Sequence, residues 1–288
     1  MRVLLIVSPS SGGGRAAKAM PAVVRALLAT GWQVQTHVSQ SLDDAEDAAA
    51  QADSGVVVAA LGGDGLMGRV AAGARRAQAL FAPLPGGRGN DYCAALGISR
   101  DPVAAAAALV GANERALDVA ELDGRTVLGV ISCGFDSEAT GRANAARFVR
   151  GHLVYAWAAL RTLATWQPVE LTVTMDGDAR SFRGYTVAVG NSGRYGGGMK
   201  IAPDARMDDG LLDVVTVSHA SRRHFVSALP KLFTGTHVDG EIVQVQRGRE
   251  IALAAARPVE VYADGEYAGT VPCTISVVPG ALRVLGGS

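Results

Sequence analysis

The sequence predicts an α/β first half built on a parallel sheet, followed by an antiparallel β-sandwich. Three observations carry this. Up to about residue 120, continuous apolar runs alternate with helix-compatible stretches, the pattern of a parallel sheet covered on both faces. After about residue 115 the texture changes to period-2 and apolar runs separated by D-G, R-G and P-G turns. Glycine-rich loops follow three of the early apolar runs, at 8–14, 61–68 and 86–90. The change of texture sets two domains, 1–120 and 121–288.

The elements follow in order. "RVLLIV" (2–7) reads as a buried strand, and a Ser/Gly loop leads from it into an amphipathic helix over 15–30, ended by Gly31. "WQVQTHVS" (32–39) alternates as a strand with Val34 and Val38 on one face. Asp43 and Asp44 open a helix reaching Ala52, and "GVVVAAL" (55–61) is the next strand. A helix over 66–78, the strand "LFAPLP" (80–85), a short helix from Asn90 and an Ala-rich buried helix over 102–112 complete the first half. "ALDVAELDGRTVLGVIS" (116–132) predicts a hairpin about its D-G. A helical block over 137–165 interrupts the strands, which resume at 169–191, 211–217, 242–267 and 273–285.

Composition bounds the function. Lys plus Arg equals Asp plus Glu at 27 each, so the chain lacks the basic footprint of a nucleic-acid binder. Cys93, Cys133 and Cys273 are scattered with no C-x-x-C pair, which argues against a disulfide framework or zinc site and fits a reducing cytoplasm. The opening "MRVLLIVSPS" reads as a strand, not a leader, and no run approaches the ~18 apolar residues of a spanning helix. Membrane contact, if made, is expected to be peripheral. Residues 146–166 hold Arg147, Arg150 and Arg161 among Phe148, Tyr155, Trp157 and Trp166. This is either a core-facing helix with a solvated basic face or one that rests on anionic membrane.

The glycine-rich loops are the functional signal. Ligands of parallel sheets bind at the carboxyl ends of the strands, and backbone N–H groups at a helix start favour phosphate. Each loop alone is also an ordinary strand-to-helix turn; three on one edge favour a ligand site. Gly63–Gly68 fits G-x-G-x-x-G, but it follows the third strand instead of the first, and no G-K-[ST] occurs, so neither a dinucleotide fingerprint nor a P-loop is present. Asp208 and Asp209 read as turn formers or as site acids, and Asp264-Gly265 as a hairpin turn that leaves Glu266 unexplained.

Taken in order, these stretches resemble the diacylglycerol kinase catalytic family, which includes bacterial lipid kinases and sphingosine kinases. "SPSSG" (8–12) resembles its N-P-x-S-G, and "GGDG" (62–65) is its signature. "PLPGGRGNDYCAALGI" (83–98), "GRYGGGMKIAPDARMDDGLLDV" (193–214) and "DGE" (264–266) match its later motifs, so the likeness spans nearly the whole chain. It implies transfer of the ATP γ-phosphoryl group to a lipid hydroxyl, with diacylglycerol going to phosphatidic acid. It places nucleotide contacts at Ser8, Pro9, Ser10, Ser11 and Gly12, at Ser39, at Gly62, Gly63, Asp64, Gly65, Leu66, Met67 and Gly68, and at Arg88, Asn90 and Asp91. Glu266 is the implied base, and Asp64 is implied to hold a catalytic Mg²⁺ directly or through water. Asp209, with the carbonyls of Arg206 and Leu211, matches a second Mg²⁺ site. A membrane lipid substrate, a cytoplasmic location reaching the inner membrane surface, and room for a homodimer complete the implied picture. Two alternatives remain open: a kinase of another lipid or of a soluble alcohol, sphingosine-like or NAD-kinase-like, and a non-catalytic nucleotide-binding regulator.

The chain departs from the family at two places. Leu66 stands where Thr usual follows G-G-D-G, and Arg88 stands where the family has Thr in G-T-x-N-D. Arg88 is expected to take over phosphate contact, Leu66 to pack beneath the turn, and Arg69 to face solvent or pair with an acid across the cleft.

Overall fold

The computed structural model describes residues 1–146 and 153–287. The first half runs β1 (Arg2–Val7), α1 (Arg15–Ala29), β2 (Gln33–Val38), α2 (Leu42–Ala50), β3 (Val56–Gly62), α3 (Asp64–Arg76), β4 (Leu80–Pro85), α4 (Asp91–Ala95) and α5 (Pro102–Ala108). Strands β4, β3, β1 and β2 lie side by side in that order, all parallel. The alternation along β3 shows why both faces are covered. Val57, Ala59 and Leu61 enter the core beneath α1 and α5, while Val58 and Ala60 enter the core beneath α2 and α3. Ser41 starts α2 by accepting the N–H of Asp44 at 3.0 Å, which satisfies one of the unpaired donors of a helix start.

The second half continues with β5 (Glu114–Leu122), β6 (Arg125–Val127), β7 (Val130–Gly134), α6 (Phe135–Ala145), α7 (Leu153–Thr165), β8 (Val169–Met175), β9 (Asp178–Gly190), β10 (Arg194–Tyr195) and β11 (Met199–Lys200). It ends with β12 (Leu212–Ser218), α8 (Arg222–Ala228), α9 (Lys231–Thr234), β13 (Val243–Gly248), β14 (Glu250–Ala255), β15 (Glu260–Ala263), β16 (Glu266–Thr270) and β17 (Cys273–Leu285). The pairings inside this lobe are antiparallel, as the sandwich reading expects. Its core gathers Ile131, Phe135, Leu171, Val187, Leu212, Ile251 and Ile275.

Several boundaries differ from the sequence reading. The Ala-rich helix ends at Ala108, and the block over 137–165 is two helices, α6 and α7. Arg147, Phe148 and Arg150 lie outside the described residues. Val38 is 49% exposed, because β2 is an edge strand. Helices α8 and α9 fall in a stretch where no strand or helix period was read. The larger difference concerns β17. It runs antiparallel to β5 and β14 and then meets β4 in parallel, with Val284 opposite Phe81. The last strand therefore joins the two lobes into one continuous sheet.

Candidate active site

The carboxyl ends of β1, β3 and β4 bring their loops into contact. The Gly86 N–H donates to the Gly62 carbonyl at 2.8 Å, and Ser8 N–H donates to Leu61 at 3.4 Å. The loops approach so closely that a Cβ on Gly87 would collide with the Gly63 backbone, so the glycines are fixed by loop-to-loop distance. Asn90 closes the third loop on itself: its Oδ1 accepts Gly87 N–H at 2.8 Å and its Nδ2 donates to Gly87 O at 3.2 Å.

Asp64 is the first residue of α3, half-buried at the floor of a cavity of about 350 Å³ between the lobes. Its Oδ1 accepts the Tyr92 N–H at 3.1 Å. Asp91 also lines this cavity, and a Cβ on Gly89 would lie 3.0 Å from an Asp91 oxygen and 3.1 Å from an Asp64 oxygen. The two carboxylates thus converge. Burial pushes the Asp64 carboxyl up to about 7, and the Asp91 charge adds to the rise. Asp91 is itself raised by burial, against the pull of Gly197 and Gly198 N–H groups. The Gly197 N–H donates to Asp91 Oδ2 at 2.7 Å, a bond that crosses from the second lobe to the first.

The D-G-E hairpin supplies the opposite wall. Asp264 and Gly265 have φ of 50° and 82°, the positive pair that a type I′ turn requires. Asp264 does more than turn the chain. Its carboxylate accepts the N–H groups of Leu128, Gly129 and Val130 at 3.0, 2.8 and 3.2 Å, fixing the hairpin to the β6–β7 connection. Burial still lifts its carboxyl to about 6. Glu266 follows at the start of β16 and reaches over Gly65, where any Cβ would collide with its carboxylate. Arg125 holds Glu266 from the other side, with Nη2 3.2 Å from Oε2 and Nη1 donating to Tyr267 O at 3.3 Å. The geometry therefore sets Glu266 against the glycine turn that carries Asp64.

Other expected residues fall elsewhere. Arg88 lines the cavity and is exposed. Ser8, Pro9, Ser10, Ser11 and Gly12 form the neighbouring β1–α1 loop, outside the cavity lining. Ser39 is buried, with its hydroxyl donating to Val7 O at 3.2 Å, so that side chain is engaged in joining strand ends. Leu66 packs beneath the turn as expected, and Met67 and Gly68 are buried with it in α3, so none of the three presents a side chain to the cavity. Arg69 pairs with Glu46 at 2.8 Å and Asp43 at 3.3 Å on α2 and does not reach across the cleft, because its helix face points to that neighbour.

Asp209 also lies outside the cavity. Its Oδ1 accepts Leu211 N–H at 3.0 Å, while Arg206 donates to Asp208 at 3.2 Å. Among the described residues no group of three or more His, Cys, Asp or Glu side chains gathers to hold a metal. The Asp64–Asp91 pair nevertheless fits a Mg²⁺ carried on nucleotide phosphates. That ion commonly takes only one or two protein carboxylates, and converging carboxylates are relieved by a cation. Arg15, Tyr92, Thr140, Asn144, Arg194 and Tyr195 also line the cavity and are not site residues by sequence pattern. The sequence signal for Arg194 is its place in "GRYGGGM", just before the glycine turn.

A parallel α/β lobe and an antiparallel lobe that meet at converging carboxylates, beside a glycine turn against which a glutamate lies, define the two-lobed kinases of the G-G-D-G type. Residues 2–122 match the diacylglycerol kinase catalytic domain, and residues 129–286 match the YegS C-terminal NAD kinase beta sandwich-like domain. The chain belongs to the diacylglycerol kinase family. It is 31% identical to a diacylglycerol kinase of Mycobacterium tuberculosis, over 99% of this chain and 94% of that one. It is 30% identical to a probable lipid kinase YegS-like protein of Pseudomonas aeruginosa, over 98% and 93%. A crystal structure of a putative diacylglycerol kinase from Bacillus anthracis shares the fold, with a TM-score of 0.81 at 23% identity over 99% and 94% of the two chains.

Proposed function

We propose that the protein transfers the γ-phosphoryl group of ATP to the hydroxyl of a membrane lipid, with diacylglycerol as acceptor and phosphatidic acid as product. The observation that carries this is the cavity where Asp64 and Asp91 converge, walled by Asp264 and Gly265 of the hairpin whose next residue, Glu266, lies over the Gly65 turn. Phosphoryl transfer asks a protein chiefly for positioning and charge stabilisation. The three glycine-rich loops hold the nucleotide through backbone N–H groups, and Arg88 adds charge-assisted bonds to its phosphates. Glu266 accepts the hydroxyl proton as the acceptor oxygen bonds to phosphorus and the bond to ADP breaks. Arg125 keeps the Glu266 carboxylate aimed across the turn.

Bound Mg²⁺, held by Asp64 and Asp91, would neutralise charge on the phosphates. Asp209, with the carbonyls of Arg206 and Leu211, offers the oxygen set for a second cation outside the cleft, where it would act on the fold. No helix among the described residues is long and apolar enough to cross a membrane. Access to lipid instead falls to α7, where Trp157 and Leu160 are 38% and 63% exposed and the Arg161 guanidinium lies 5.8 Å from the Trp157 ring centroid. Exposed apolar groups beside a cation suit an anionic bilayer surface.

The test is a labelled-ATP assay with Mg²⁺ against a panel of extracted lipids in mixed micelles, with sphingoid bases, NAD and soluble polyols in parallel. Label in phosphatidic acid is the expected result. Label in another acceptor reassigns the substrate, and nucleotide binding with no labelled product on any acceptor overturns catalysis in favour of a regulator.

A further inference from the structure

We propose that Arg194 is the residue that reads the γ-phosphoryl group, donating to its oxygens as it passes from ADP to the acceptor. This rests on the kinase reading above and names a residue of the second lobe that the sequence motifs do not assign.

Among the described residues, three guanidinium groups line the cavity: Arg15, Arg88 and Arg194. Arg15 begins α1 directly after the first glycine-rich loop, and Arg88 lies in the third, so both belong to the lobe that holds the nucleotide. Arg194 is the one cation that the second lobe contributes to the lining, among the described residues. Its guanidinium makes no hydrogen bond or ion pair among the described residues. A half-buried guanidinium with all its donors free, facing a cavity, is placed to bind an anion.

Its position is fixed. Arg194 pairs with Lys200, and Tyr195 with Met199, in the small β10–β11 hairpin. The hairpin tip is clipped to the first lobe by the Gly197 N–H bond to Asp91. Arg194 therefore stands where the lobes meet, and its charge acts on Asp91. The transferring group must occupy that meeting place. Its donor side is the glycine-rich edge and its acceptor side is the D-G-E hairpin, whose Asp264 and Gly265 line the cavity and whose Glu266 lies against Gly65. The same space is faced by the carboxylates of Asp64, Asp91 and Asp264, which repel a polyanion. A cation on the far wall offsets that repulsion where the phosphoryl charge is in transit.

In the step itself the acceptor oxygen–phosphorus bond forms, the bond from phosphorus to the β-phosphate oxygen breaks, and the hydroxyl proton goes to Glu266. Arg194 keeps all its protons and donates to the equatorial oxygens. Its contacts exist for ATP and for the transition state, and are missing for ADP.

That difference is what the experiment reads. ATP and ADP are titrated calorimetrically, with Mg²⁺ and without lipid, into the full chain and into Arg194→Ala, Arg194→Lys and Arg88→Ala. Arg194→Ala should weaken ATP about tenfold while leaving ADP unchanged, and kcat should fall about 10³-fold, the scale seen when a cation on the transferring phosphoryl is removed. The KM for lipid should hold. Arg194→Lys should recover part of kcat, since it keeps the charge but loses the planar fork. Arg88→Ala should weaken both nucleotides alike. Equal weakening of ATP and ADP by Arg194→Ala would assign the residue to hairpin structure, and no change in either nucleotide or kcat would remove it from the site; both outcomes overturn the proposal. A parent that binds neither nucleotide would overturn the kinase reading itself, and this assignment with it.

Discussion

Glu266 lies against Gly65, the residue next to Asp64, yet the two acids are expected to fail differently. Glu266→Gln keeps the side-chain shape and one hydrogen-bond acceptor towards Arg125 but cannot take a proton. Turnover should fall by ~10²–10⁴ with nucleotide affinity unchanged, read from initial rates and calorimetry. Asp64 carries a pH signature in stability. Burial raises its carboxyl from the ordinary 3.8 to about 7, so the folded state binds this proton more tightly than the unfolded chain does. The resulting destabilisation is absent below about pH 4, grows as pH rises, and is complete above about pH 7. Asp64→Asn should therefore melt at the same temperature as the parent near pH 4 and at a higher one at pH 8, measured without divalent cations. A constant difference across that range would show that the Asp64 carboxyl titrates normally.

Helix α3 is built for two close approaches, one at each end. At its start, Gly65 leaves room for Glu266; in its last turn, Gly73 leaves room for α2, where a Cβ would meet the Glu46 carbonyl and lie 2.6 Å from Ala49 Cβ. The first neighbour is the tip of a side chain and the second is another helix. Gly65→Ala should thus push Glu266 aside, cutting kcat at least tenfold while the urea midpoint stays near the parent's. Gly73→Ala should do the reverse. Prying α2 from α3 is an overpacking change of ~1–3 kcal/mol, visible in the urea midpoint, with turnover of the folded fraction preserved. The Arg69 pairs with Glu46 and Asp43 lie along the same helix contact and would loosen with it.

Across the whole molecule, β17 decides how the lobes depend on each other. Strand β5 has β17 along its full length and only the three-residue β6 as a further partner. Leu117 and Val119 of β5 share a core with Leu282 and Val284 of β17 and with Ile6 and Phe81 of the first lobe. A fragment of residues 1–122 loses those partners and leaves β4 with an open edge. It should lack the near-ultraviolet circular dichroism of a packed core, and the full chain should unfold in urea as a single transition. A fragment that folds cooperatively by itself would show that the first lobe is independent of β17.

Local pattern was enough for much of this molecule. The apolar runs that become β1, β3 and β4 are buried on both faces and so needed no partner to be recognised, and the glycine-rich loops follow them because a parallel sheet presents its loops on one edge. Asp64 and Glu266 stood out through the family resemblance, since the turn chemistry accounts for Asp264 and Gly265 and leaves Glu266 unexplained. The sequence by itself thus determined the two-part architecture and the loop edge. Tertiary structure decided what depends on residues far apart in the chain. That β17 ties the lobes together, that Asp264 clamps the β6–β7 connection, that Ser39 is spent on a strand end, that Arg69 turns to α2, and that Arg194 lines the same cavity as Arg88 all depend on distant segments meeting. Neither periodicity nor spacing encodes them, because a side chain's partner is set by how whole elements pack and not by its neighbours along the chain.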